Sequence, residues 1–240
     1  MITNTEDFSP ARLRGLYRRA REAGYASPVF GEEDSIAGPY VLWRHDIDLE
    51  LPAMLATAEI EAEEGIRSTF FLMTRSWFYN VFSREGEDAV HRLRELGHQV
   101  GLHCDLGLGR AAEAGADVVR ARVGWEFALV DSAYPGAFAR VVSFHNPPDA
   151  VLRREFDGFY STYQPKFFGP VKYLSDSNRH WREGAPERWL DPVRTPRLSI
   201  LLHPVIWAYP GSTMPEGMRE YVTARGTRCR DMLLHDEVNA

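Results

Sequence analysis

Apolar positions along this chain alternate between a helical rhythm and short continuous runs. Over residues 9–24, Leu13, Leu16 and Tyr17 recur at helical spacing behind Ser9-Pro10, a capping serine followed by a proline suited to the first turn, which predicts an amino-terminal helix. The run 40–43 has strand character and stops at Arg44-His45-Asp46-Ile47-Asp48. Residues 52–64 read as a helix closed by Gly65, and 68–73 (STFFLM) as a second buried strand. The cycle then repeats: helix over 85–96, strand 99–103 (QVGLH), long helix 111–130, strand 140–145 (RVVSFH), short helix 149–156. Strands at 171–174 and 198–203 (LSILLH) follow, and a helix over 218–234 closes the chain.

Strands alternating with helices predict a mostly parallel sheet, and a barrel is one way to wind it. Strands covered on both faces read as continuous apolar runs, as these do. The stretch 158–197 is aromatic, proline-rich and poorly periodic, so it is read as long loops around a site rather than a second domain. One domain over residues 1–240 is the expectation at this length.

Composition narrows the partners. Hydrophobic residues at 44% and charged residues at 26% are ordinary for a globular chain. The net charge of −6 argues against nucleic acid or an anionic membrane surface. No uncharged run is long enough for a membrane span, and the first residues contain no apolar core of signal-peptide length. Two cysteines, Cys104 and Cys229, are too few for a disulfide framework, so a reduced cytoplasmic setting is expected.

The chemistry collects at strand ends. The predicted strands finish in His45-Asp46-Ile47-Asp48, His103-Cys104-Asp105, His145-Asn146, Ser175-Asp176-Ser177-Asn178 and His203-Pro204. In parallel α/β folds the carboxyl ends of all strands share one rim, where sites are built. Carboxylates and imidazoles gathered there make a divalent-metal site. Asp46 and Asp48, one residue apart, point the same way in extended backbone; the competing role is a cap for the following helix. His45, facing the other way, is read as structural, and Cys104 as a small buried hydrophobe. His98 is placed at the opposite end of its strand, while His91, His180 and His235 are read as solvated or loop residues. Asp105, Asp176, Arg179, Trp181 and Arg182 are taken as substrate contacts, Asp176 with a turn cap or support of a neighbour as its alternative.

These stretches resemble the polysaccharide deacetylases (carbohydrate esterase family 4), in particular a branch with R-H-D-x-D at the first strand. The matching segments are 44–48 (RHDID), 65–71 (GIRSTFF), 97–105 (GHQVGLHCD), 143–147 (SFHNP), 173–182 (YLSDSNRHWR) and 201–204 (LLHP). The resemblance implies a distorted (β/α) barrel of about seven strands. It also implies an active-site divalent metal, zinc foremost with cobalt, nickel or manganese as alternatives, held by one aspartate and two histidines. By the same resemblance Asp46 is the catalytic base, Asp48 a metal ligand and His203 the acid that protonates the leaving group. The family's two metal histidines stand four apart; the first fits His103, but the second falls on Gly107. The missing donor must then come from the same rim, where Asp105, His145, Asp176 and His203 compete. His145 is the choice, because Phe144 before it should face the packed side and Asp176 lies in a loop.

The expected activity is metal-dependent removal of an acyl group, in the first place acetyl, from the amine of an amino sugar or sugar-like metabolite. A small or nucleotide-linked sugar is the expected substrate, and Trp181, Trp207, Tyr163 and Tyr173 are candidate stacking partners. Two rivals come from other classes. One is a metal-free glycan-binding barrel. The other is a nucleotide-dependent enzyme, because Gly107-Leu108-Gly109-Arg110-Ala111-Ala112 fits G-x-G-x-x-A; its next strand, however, ends in histidine where that fingerprint wants an acid.

Overall fold

The structure, a computed structural model, describes residues 7–107 and 115–239. Seven parallel strands form one sheet in the order β5-β4-β3-β2-β1-β7-β6. They are β1 (Tyr40–Ile47), β2 (Thr69–Leu72), β3 (Gln99–Cys104), β4 (Phe138–Phe144), β5 (Tyr160–Ser161), β6 (Lys172–Ser175) and β7 (Arg197–Leu202). The longer helices are α1 (Pro10–Glu22), α2 (Leu51–Glu63), α3 (Arg84–Glu95), α4 (Ala116–Ala133) and α6 (Met214–Asn239), with a short α5 (Pro204–Ala208) behind β7.

The sheet curls on itself. Arg44 on β1 reaches Ser143 on β4 with a 2.8 Å hydrogen bond, although three strand spacings separate those strands. In a flat sheet that is roughly 14 Å, beyond the reach of one side chain. The result is a distorted (β/α) barrel, open between its edge strands β5 and β6, which do not pair among the described residues.

Alternation along β1 sorts the interior. Val41 and Trp43 face the outer helices, and Tyr17 of α1 meets the Trp43 ring edge-on at 4.9 Å. Tyr40 and Leu42 face inward, packing with Phe30, Phe71, Val141 and Phe167 into a narrow apolar plug. Gly101 makes room for it: a Cβ there would stand 2.7 Å from the Phe71 ring and 3.0 Å from the Val141 carbonyl. Above the plug the same inward row turns polar, with Arg44, then Asp46, then Asp48 at the rim.

Most elements fall within a few residues of their predicted bounds. β1 runs on through Arg44, His45 and Asp46, because these buried polar groups find partners and need not end the strand. β5, only two residues long, carries too little pattern to stand out in 158–197. The helix expected over 149–156 is reduced to one 3-10 turn, Asp149–Val151. The predicted long helix begins in a segment, 108–114, that lies outside the described residues, as does most of the G-x-G-x-x-A stretch. Among the described residues no helix is long and apolar enough to cross a membrane.

Candidate metal and catalytic site

Asp48, His103 and His145 meet at the carboxyl rim, each offering one ligand atom within 4.8 Å of the others. Asp48 comes from the loop after β1, His103 from β3, and His145 from the residue after β4, where its backbone N–H still bonds the Cys104 carbonyl. Asp48 Oδ1 lies 3.1 Å from His103 Nε2 and 3.1 Å from His145 Nδ1. Phe144 packs outward into the helix-covered core, as alternation requires.

The donor set suits a divalent cation. His103 Nδ1 stands 3.2 Å from the Ser143 carbonyl, which can only accept, so the ring proton belongs on Nδ1. The unprotonated Nε2 then points its lone pair at Asp48 Oδ1, an opposition that a cation between them relieves. His145 Nε2 faces the Asn146 side-chain amide at 2.9 Å. With the amide oxygen turned towards it, that group accepts the Nε2 proton and frees Nδ1 as a ligand. Burial pushes the Asp48 carboxyl up; when these rings carry a second proton, hydrogen bonds from His103 and His145 and the charges of His103 and His203 outweigh it and hold Asp48 well below the usual carboxylate range.

Asp46 sits one pleat deeper. Arg44 grips it through Nε at 3.2 Å and Nη2 at 2.9 Å, and the Ser143 hydroxyl donates to the same carboxylate at 2.9 Å. Arg44 in turn is fixed by the Thr162 hydroxyl at 2.9 Å and the Tyr163 hydroxyl at 3.0 Å. Burial alone would raise the Asp46 pKa; the Arg44 charge overcomes it and keeps the group ionised. Neither aspartate caps a helix: Asp46 is within β1, and the residue preceding α2 is Glu50.

His203, the residue after β7, faces this pair from the far side, with Nε2 3.8 Å from Asp48 Oδ2. Its Nδ1 donates to Asp176 Oδ1 at 2.6 Å, and its backbone N–H donates to Asp176 Oδ2 at 2.9 Å. Trp207 Nε1 donates to the same Oδ2 at 2.8 Å. Burial would lower the His203 pKa, but the buried Asp176 charge and hydrogen bond raise it to about 9. Asp46, Asp48, Glu50 and His203 line one cavity of about 10 Å³, close to the size of a single water. From behind, Glu50 accepts a hydrogen bond from the Tyr209 hydroxyl at 2.6 Å and pairs with Arg228 of α6.

The residues expected to touch substrate divide. Asp105 stays at the rim, where its carboxylate accepts the Gly107 N–H at 2.8 Å; that turn needs φ of +66° at 107, which explains a glycine where the resemblance wants a histidine. Arg182 is exposed. Asp176 is fully buried against His203 and Trp207, so it supports a neighbour instead of meeting substrate. Arg179 is buried too, its Nη1 bonded to the Ile206 carbonyl at 2.8 Å and its guanidinium over the Phe8 ring. Trp181 is 2% exposed, stacked on Phe8, and Trp207 packs edge-on to both rings. These three serve the core under the long loops, where large apolar area is most stabilising, and offer no face to a ligand.

His45 faces outward, its Nε2 2.8 Å from Glu61 Oε1 and its ring stacked on Phe70, and His98 joins the same buried network through Ser68. Both are structural. Cys104 is buried in the outer core, with Glu126 beside its thiol. Sequence reasoning gave Arg44 no role, although its place two residues before Asp46, on the same face, was the available signal. Ser143 and Glu50 carried no signal of their own.

Neither a protein-family model nor a curated protein matches the chain. Among solved structures it is similar to the chitin deacetylase from the fungal pathogen Colletotrichum lindemuthianum, at 20% identity and a TM-score of 0.37. That similarity covers 48% of this chain and 50% of that chain, and at this level it bears on neither substrate nor mechanism.

Proposed function

We propose that this protein is a metal-dependent hydrolase that removes an acyl group from the amine of an amino sugar or sugar-like substrate. One observation carries the reading: a cluster fit for a divalent ion, Asp48, His103 and His145, has an ionised carboxylate on one side and a protonated imidazole on the other. The resemblance of the same strand-end motifs to polysaccharide deacetylases supports the choice of an amide on a sugar. A divalent ion bound there, zinc being the first candidate, supplies Lewis acidity towards the acyl carbonyl and brings the pKa of a water from 15.7 towards about 7.

The chain's own groups do the proton work. Asp46, ionised and held rigid by Arg44 and Ser143, takes a proton from the attacking water. His203, charged at neutral pH because Asp176 holds its Nδ1–H, gives one from Nε2 to the departing nitrogen. Each positioned transfer typically contributes about 10²–10⁴-fold. The test is to load the protein with zinc, cobalt, nickel or manganese, incubate it with a panel of N-acyl amino sugars, and measure free amine. Asp46→Asn should retain metal and lose turnover, whereas Asp48→Asn should lose metal. Absence of bound metal by elemental analysis, with no gain on adding any of the four ions, overturns the reading.

A further inference from the structure

Of the four rings the sequence offered for stacking, Tyr173 is 42% exposed and Tyr163 is partly buried. Trp181 and Trp207 are buried, but Trp77 is 93% exposed, with the half-exposed Phe78 beside it. Both stand on the loop between β2 and α3, at the same rim as Asp48. That loop is pinned to the strand ends. The Tyr79 hydroxyl donates to the Ile47 carbonyl at 2.8 Å and accepts the Met73 N–H at 2.7 Å, tying the ends of β1 and β2 together. The Ser76 hydroxyl lies 3.3 Å from the Asp48 carbonyl, to which it donates, and accepts the Phe78 N–H at 3.0 Å.

We propose that Trp77, flanked by Phe78, is a stacking subsite for a pyranose ring of the substrate, an inference that rests on the reading above only for the reaction performed. Single exposed apolar residues are common on protein surfaces. This one differs in being preceded by a residue bonded to the backbone of a metal-ligand candidate and in sitting on a loop already held in shape. A preorganised ring loses little conformational freedom on binding, so its contact area is retained as affinity. The ligand chemistry follows from the surface: an indole face takes a flat partner with apolar C–H groups on one side, which is what a pyranose ring presents, while the hydroxyls at its edge stay in water.

The test uses the full-length metal-loaded protein, an N-acetylated amino sugar and its short oligomers as probes, and two readouts. Binding of each sugar is titrated by calorimetry, and KM and kcat are measured by amine release. Trp77→Ala should raise Kd and KM about 5–10-fold with kcat changed less than twofold, and Trp77→Phe should recover most of the affinity. Trp125→Ala removes another exposed indole, from α4, and should change neither constant. Turnover with Kd and KM indifferent to Trp77 overturns the subsite and leaves the hydrolase reading standing. Trp77-dependent binding without turnover by any metal form supports the subsite and overturns the hydrolase. A wild-type protein that binds no sugar by calorimetry overturns the subsite as well.

Discussion

Replacing Asp176 by asparagine separates a proton donor from a merely packed histidine. The carboxylate accepts three bonds, from His203 Nδ1 at 2.6 Å, the His203 backbone N–H at 2.9 Å and Trp207 Nε1 at 2.8 Å. The last two converge on one oxygen. An asparagine amide can place its oxygen there and keep both, while its NH₂ group faces His203 Nδ1. That ring nitrogen must then accept, so the imidazole is locked neutral with its proton on Nε2. The fold keeps its hydrogen bonds and should lose only about 1 kcal/mol of stability. His203, raised to about 9 chiefly by Asp176, loses the largest cause of the rise and keeps the burial that opposes it; with the smaller pull of Asp48 and Asp46 offset by a bound cation, its pKa should drop to roughly 6.5. At pH 8 the protonated fraction falls from about 90% to about 3%, a loss of roughly 30-fold in the competent acid. A proton donor is active below its pKa and fails as pH rises through it, so the alkaline limb of the rate profile should move from about 9 to below about 7. Rates are measured across pH on an alkyl amide, which needs a proton on its leaving group, and on an activated ester, which does not. An unmoved alkaline limb, or equal losses on both substrates, refutes the assignment of His203.

Three further outcomes follow from the same geometry. Chelation should abolish activity and lower Tm by roughly 5–10 °C, since an ion at 100 times its Kd adds about 2.7 kcal/mol; differential scanning fluorimetry with and without metal reads this, and in His103→Ala the metal-dependent shift should vanish. Arg44→Ala leaves the Asp46 carboxylate buried without its bidentate partner and should cost about 3–5 kcal/mol in urea unfolding, more than a surface arginine such as Arg182 by an order of magnitude. Gly101→Ala should destabilise by about 1–3 kcal/mol, because a Cβ there meets the Phe71 ring and a backbone carbonyl that cannot both move; an unchanged Tm would mean the barrel interior is looser than its packing indicates.

Much of this architecture is written locally. Ser9-Pro10 starts α1 by capping Arg12 N–H, continuous apolar runs become strands covered on both faces, and each strand's polar last residues arrive at a common rim because the strands are parallel. Period-two alternation is enough to put Asp46 and Asp48 on one side with His103, and Phe144, Cys104 and His45 on the other. Those features depend only on backbone geometry and on residues a few positions apart. The remainder depends on how the sheet curls. Only closure brings Ser143, Thr162 and Tyr163 to Arg44, across about a hundred residues of chain, and so makes Asp46 a clamped carboxylate. Only the packing of the loops under β6 and β7 buries Trp181 and Arg179, and turns Asp176 from a candidate substrate contact into the partner of His203. Burial of a tryptophan is decided by what the rest of the chain lays over it, which is why Trp181 and Trp207, two of the four rings the sequence offered for stacking, lie in the core while tertiary structure leaves Trp77 in the solvent.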